Sequence, residues 1–196
     1  MPAGKLHFTY AAMNAGKSTM LLQSAHNYTE MGMEVMLWTS DKHATEMDDS
    51  ALIESRIGLS RPALVFHPDT DLLANVKERH LASPLGAVFV DEAQFLTKDQ
   101  VWQLAKVADT MTLPVYCFGL RTDFKGELFD GAAALLAISD VIQDAKTICH
   151  CGRPAVMTAR LDEAGNVVRS GETISIPKTN YVSLCRLHWS DKFQNK

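Results

Sequence analysis

Five short apolar runs, separated by stretches of helical spacing, constrain this chain more than any other feature. They are KLHFTY (5–10), MEVMLWTS (33–40), ALVFH (63–67), LGAVFVDE (85–92) and LPVYCFGL (113–120). Between them, Met20, Leu21, Ala25, Tyr28 and Met31 recur near helical spacing, and Gly32 marks a stop. The stretch DTDLLANVKERH reads as a helix opened by acidic residues, and TKDQVWQLAKVADT as an amphipathic helix with Thr97 at its N-cap. The stretch from Asp41 to Arg61 is polar and weakly patterned and reads mostly as loop. Strand and helix alternate from residue 5 to about residue 140. The fold this implies is α/β, a mostly parallel sheet flanked by helices, with ligands at the carboxyl ends of the strands.

A chain of 196 residues with 46% hydrophobic composition suits one globular domain, or one plus a small appendage. No apolar run approaches the ~18 residues of a membrane span. The opening MPAGKLHF shows no charged head followed by an apolar stretch, so the expected location is the cytoplasm. A formal net charge of −4 argues against bulk binding to a nucleic-acid backbone.

The first apolar run leads into AMNAGKST, residues 11–18 and the start of a helix. The usual phosphate loop reads G-x-x-x-x-G-K-[ST], and here Ala11 stands at the first position. A phosphate needs inward-pointing N–H groups, a helix N-terminus, a cation and a hydroxyl for Mg²⁺. The loop residues Ala11, Ala12, Met13, Asn14, Ala15 and Gly16 supply the first, Lys17 the cation, and Ser18 the metal-ligating hydroxyl. Ala11 replaces glycine without penalty if its φ stays negative, because its methyl group is small.

A second signal supports the first. AVFVDEAQF is a hydrophobic strand ending in Asp91 and Glu92. Asp91 is placed to hold Mg²⁺, directly or through water, which leaves Glu92 to take a proton from an attacking hydroxyl.

After AKTICHCGRP the texture changes to short strand-like pieces, with turn signals at Ala164-Gly165-Asn166 and Ser170-Gly171 and no long helical pattern. A boundary falls near Asp144–Thr147, dividing residues 1–146 from 147–196. Cys117 lies in an apolar run and reads as a small buried hydrophobe. The other three cysteines, Cys149, Cys151 and Cys185, fall in the last quarter with His150 and His188. Thiolates and imidazole at these spacings suit tetrahedral Zn²⁺ with Cys149, Cys151, Cys185 and His188 as ligands. The C-x-C pair is tighter than the usual C-x-x-C, and His150 stands as an alternative ligand. Four protein ligands leave no open position, so the expected role is structural, pinning the ends of segment 152–184.

AMNAGKST and VDEAQFL, followed by YCFGLRTDFKGELF, KTICHCG and YVSLCRLHW, resemble the cytosolic tetrameric class of thymidine kinases from Lys5 to Trp189. The resemblance implies transfer of the γ-phosphoryl group of ATP to the 5′-hydroxyl of thymidine or deoxyuridine. It implies a homotetramer and feedback inhibition by thymidine triphosphate. It gives Glu92 the role of general base and places Ala93 and Gln94 beside the nucleotide. Met13, Phe95, Leu120 and Phe124 match positions that enclose thymine and deoxyribose, as do Phe129, Thr158 and Tyr181. The zinc-bound segment corresponds to a lasso-like lobe closing over the nucleoside.

The sequence departs from the family in three places. Ala11 replaces a glycine. ISIPKTNY lacks a Gly-Gly pair before Tyr181, and Pro177 removes one N–H donor. His43 stands where a D-x-R pattern predicts arginine, which leaves the transition-state cation unassigned, with Arg121, Lys125 and Arg56 as candidates. A competing reading is a phosphate-loop ATPase whose zinc lobe binds nucleic acid or protein. The acidic net charge and the phenylalanines after Gly119 favour a small apolar acceptor instead.

Overall fold

The computed structural model describes residues 4–43, 50–171 and 180–194. In chain order its elements begin with β1 (Leu6–Ala11), α1 (Lys17–Glu30), β2 (Glu34–Ser40), β3 (Ser50–Glu54) and β4 (Ser60–Phe66). They continue with α2 (Leu72–Ala82), β5 (Leu85–Val90), α3 (Lys98–Met111), β6 (Val115–Leu120), α4 (Asp130–Ile138) and β7 (Val141–Asp144). The last are β8 (Thr147–Ile148), β9 (Pro154–Ala155), β10 (Met157–Leu161), β11 (Asn180–Leu184) and α5 (Arg186–Gln194).

Seven strands form one sheet in the order β3-β4-β2-β5-β6-β1-β7. All neighbours pair in parallel except β3 with β4. The sheet lies between two helical layers. Leu21, Leu22 and Ala25 of α1 pack on one face against Leu37, Phe89 and Phe118. On the other face α3, with Val101, Leu104 and Val107, covers Phe8, Val88 and Val115, and α2 and α4 flank it. The central strands bury both faces, which is why they read as continuous apolar runs.

Thr97 caps α3 as its sequence predicts. Its hydroxyl accepts the Gln100 N–H at 3.2 Å while the Gln100 side chain accepts the Thr97 N–H at 3.0 Å, a reciprocal capping box. The buried Gln100 amide also donates to the carbonyls of His67 and Thr70. Asp71 caps α2 by accepting from Ala74 N–H at 2.9 Å.

Two expectations are corrected. Among the described residues, the stretch Asp41–Arg61 is not mostly loop, because β3 and β4 form an antiparallel hairpin at the sheet edge. Leu52, Ile57 and Leu59 stay exposed there and Ile53 is buried, so the hairpin carries little apolar periodicity. Pro62 is tolerated because β4 pairs with β2 only from Leu64 onward. The C-terminal segment, expected to show short strand-like pieces and no long helical pattern, does carry a helix, since α5 runs for nine residues after Cys185.

Beyond β7 the chain leaves the main sheet. Antiparallel pairs β8–β9 and β10–β11 follow, and their apolar centre is small: Cys149, Ala155, Ala159, Leu184 and Cys185. Pro177 and the missing Gly-Gly pair fall in 172–179, outside the described residues.

Candidate active site and metal cluster

The phosphate loop leaves the carboxyl end of β1 and enters α1. Ala11 is the last residue of β1, and the left-handed backbone of the loop falls on Asn14 (φ 63°) and Gly16 (φ 78°) instead. The alanine substitution therefore meets no steric demand for glycine at that position. Lys17 opens α1 with its side chain largely buried, and its Nζ donates to the Ala12 carbonyl at 3.4 Å. Burial pulls its pKa down, against the carboxylates of Glu92 and Asp91. A buried lysine held by one long hydrogen bond is available to an arriving anion.

Asp91 and Glu92 follow β5, two strands from β1 across β6. The Ser18 hydroxyl donates to Asp91 Oδ2 at 2.9 Å. Phosphate loop and acidic pair thus meet directly. Asp91 is buried, and its carboxyl is raised to about 6, first by burial and then by the neighbouring Glu92. A buried carboxylate beside a hydroxyl oxygen fits the hard oxygen set that Mg²⁺ requires.

Glu92 takes a left-handed backbone (φ 52°), rare for a residue with a long side chain and characteristic of functional sites. The Gln94 amide donates to Glu92 Oε2 and accepts the Leu120 N–H at 2.9 Å. Gly119 makes this possible, since a Cβ there would stand 2.8 Å from Gln94 Oε1. Glu92 is thereby tied to the carboxyl end of β6.

A cavity of about 450 Å³ joins these groups to the acceptor residues expected from the sequence. Lys17, Ser18, Glu92 and Gln94 line one part. Met13, Phe95, Leu120 and Phe124 line the rest, with Phe129, Thr158 and Tyr181. Phe95 and Phe129 meet edge to face at 5.7 Å, a rigid aromatic wall. Ala93 is fully buried in the turn behind it.

The C-terminal lobe reaches this cavity through the phosphate loop. Met13 N–H donates to Thr158 Oγ1 at 3.2 Å, Ser183 Oγ donates to the Met13 carbonyl, and the Asn14 amide donates to the Tyr181 carbonyl at 3.4 Å. The cation candidates separate. Arg56, from the β3–β4 turn, lines the cavity and adds its positive charge near Lys17. Arg121 lies over the Tyr10 ring, and Lys125 over Phe124. The His43 side chain lies outside the described residues.

Sequence reasoning named Arg56 only as one of three cation candidates, and it missed Ile57 as a cavity wall and the Gln94 contact with Leu120. It also missed Asp123, which lines the cavity and accepts the N–H groups of Lys125 and Glu127. An aspartate two residues before Lys125-Gly126 was a legible turn signal.

The ligand atoms of Cys149, Cys151, Cys185 and His188 lie within 4.8 Å of one another. His188 Nδ1 is 3.4 Å from Cys149 Sγ and 3.5 Å from Cys185 Sγ, and the sulfurs of Cys151 and Cys185 are 3.9 Å apart. Tetrahedral Zn²⁺ with Zn–S of about 2.3 Å separates its sulfurs by roughly 3.8 Å, so the donor set fits. Against the raising effect of burial, the backbone N–H groups of Cys151 and Cys185 hold the Cys149 thiol down to about 5. His150 stacks on the His188 ring at 4.3 Å, and the tight C-x-C pair brings both of its sulfurs into the cluster. Cys117 lies apart, fully buried, its thiol pushed up by that burial.

Fold and loop together define a phosphate-loop α/β protein with a small Cys/His lobe. The thymidine kinase family model matches residues 4–189, and the chain belongs to that family. A thymidine kinase of Mesorhizobium japonicum is 53% identical over 188 residues, covering 96% of this chain and 92% of the relative. A thymidine kinase of Novosphingobium aromaticivorans is 53% identical over 191 residues, with 95% and 97% covered. One of Agrobacterium fabrum is 49% identical over 193 residues, with 96% and 97% covered.

Proposed function

We propose that this chain is an ATP-dependent thymidine kinase of nucleotide salvage, transferring the γ-phosphoryl group of ATP to the 5′-hydroxyl of thymidine or deoxyuridine. One observation carries the reading: Lys17, Ser18 and Glu92 share a single cavity with an aromatic acceptor wall. The loop Ala11–Ser18 cradles the phosphates, and Lys17 neutralises charge on the terminal groups. Ser18 and Asp91 are the residues that hold Mg²⁺, which screens the phosphate charge when bound. Glu92 accepts the proton of the 5′-hydroxyl as that oxygen bonds to the γ-phosphorus and the bridging bond to ADP breaks. Gln94 orients the Glu92 carboxylate. Arg56, on the cavity wall, is the second cation.

Thymine and deoxyribose lie against Phe95, Phe124 and Phe129, with Met13 and Leu120 completing the apolar enclosure and Thr158 and Tyr181 offering polar groups. Residues 1–146 form the kinase domain, and 147–196 a lasso domain closed by structural Zn²⁺. The homotetramer and feedback inhibition by thymidine triphosphate belong to the same proposal, carried by the family resemblance. A cytoplasmic location suits unpaired thiolates reserved for metal. Among the described residues no helix is long and apolar enough to cross a membrane.

A nucleoside panel with γ-labelled ATP tests this reading. It predicts label in the 5′-monophosphate of thymidine and ADP formation that depends on thymidine. ATP hydrolysis that responds to DNA and ignores nucleosides would favour an ATPase instead.

A further inference from the structure

Trp189 follows His188 in α5, and its ring sits among the small apolar residues that surround the metal cluster. Its indole N–H donates to the carbonyl of Phe124 at 3.3 Å and to that of Thr158 at 3.1 Å. Those two residues lie on segments remote in sequence, the loop after β6 and strand β10. Both line the acceptor cavity, and both are buried. The far edge of the indole rests on Gly126, where an added Cβ would come within 3.3 Å of the ring. Thr158 in turn accepts the Met13 N–H of the phosphate loop. One side chain therefore connects the metal cluster, two walls of the acceptor cavity and, through Thr158, the nucleotide loop.

We propose that Trp189 is a positioning residue for the acceptor, carrying the metal-held placement of α5 to the walls formed by Phe124 and Thr158. Thymidine serves as the probe because the assignment rests on the kinase reading. A tryptophan that only filled space would pack as well without its N–H. One that sets the spacing of two cavity walls affects the acceptor far more than the nucleotide. By thermodynamic reciprocity, if the metal-held geometry favours thymidine, thymidine must favour retention of the metal.

Trp189→Phe keeps one aromatic ring while deleting the N–H and the rest of the indole. The zinc-loaded variant is expected to show a thymidine KM raised roughly 5- to 30-fold, the scale of one or two lost hydrogen bonds. Its kcat should stay within about threefold and its ATP KM within about twofold, with zinc content unchanged. In the unaltered protein, saturating thymidine should raise the zinc affinity read by equilibrium competition with a chromogenic chelator severalfold, and Trp189→Phe should erase most of that effect. The proposal is overturned if thymidine leaves the equilibrium zinc affinity of the unaltered protein unchanged, an arm that needs no variant. It is also overturned if the Trp189→Phe protein keeps its thymidine KM, or if thymidine KM, ATP KM and Tm all worsen together. An unaltered protein that phosphorylates no thymidine would overturn the kinase reading, and this assignment with it.

Discussion

The nucleotide end and the metal lobe of this molecule are held by different forces. At the nucleotide end, two core clusters sandwich a seven-stranded sheet, and the functional groups sit at the ends of buried parallel strands. Ser18 and Asp91 already touch, and Glu92 is fixed by Gln94. Among the described residues the lobe has two two-stranded ladders and one small apolar cluster, Cys149, Ala155, Ala159, Leu184 and Cys185, too little apolar surface to fold alone. Its four Cys/His ligand atoms converge on one point, where the proposed metal would supply the cohesion. Hydrophobic burial positions the phosphate-loop end, and the proposed metal would position the lobe beside the cavity. The two ends should therefore fail separately.

The largest separation is expected from Cys185→Ser. Structural zinc contributes on the order of 10 kcal/mol to the folding of such modules. The variant should lose zinc, thymidine turnover and amide protection in β10 and β11, while the central strands stay protected and ATP still binds. Hydrogen exchange with metal analysis checks this, and equal loss of protection in β1 and β5 would break the distinction. Glu92→Ala acts on the other end. It should lower kcat roughly 10²- to 10⁴-fold and leave ATP affinity and zinc content nearly unchanged, as single-turnover kinetics and calorimetry can show.

Asp91 sharpens the comparison through pH. Its folded carboxyl is raised to about 6, chiefly by burial, above its unfolded value. The proton is bound more tightly in the folded state, so stability from this group is full below the unfolded value and is lost as pH rises through 6. In Mg²⁺-free buffer at pH 7.5, Asp91→Asn should raise Tm by roughly 5 °C. Differential scanning across pH should show that gain shrinking as pH falls through 6 towards 4. The smallest effect is expected from Thr97→Ala, which removes the capping box of α3 at a cost of about 1 kcal/mol. Tm should fall a few degrees, with thymidine kinetics unaltered.

The nucleotide end was the more legible in sequence for the same physical reason. Strands buried on both faces read as apolar runs, and the demands of a phosphate leave Gly16-Lys17-Ser18 and Asp91-Glu92 as local motifs. The candidate metal ligands were legible as spacing, although the tight C-x-C pair left one of its ligands open with His150 as a substitute; in three dimensions both sulfurs lie in the cluster. The β3–β4 hairpin stayed hidden because Ile53 is the fully buried side chain of an exposed edge strand. Without the hairpin, Arg56 could not be placed on the cavity. Helix α5 has almost no apolar periodicity, since its placement comes from Cys185, His188 and Trp189 rather than from an apolar stripe. Contacts such as Gln94 with Leu120 depend on chain crossings that no local pattern encodes.

A crystal structure with Mg²⁺, a non-hydrolysable ATP analogue and thymidine tests most directly whether one cavity serves both substrates. The thymidine 5′-hydroxyl should lie within about 2.6–3.2 Å of the Glu92 carboxylate and in line with the terminal phosphorus. Lys17 should contact the phosphates, and the base should rest between Phe95, Phe124 and Phe129. Nucleotide bound away from Lys17, or a thymidine hydroxyl facing away from Glu92, would contradict the account.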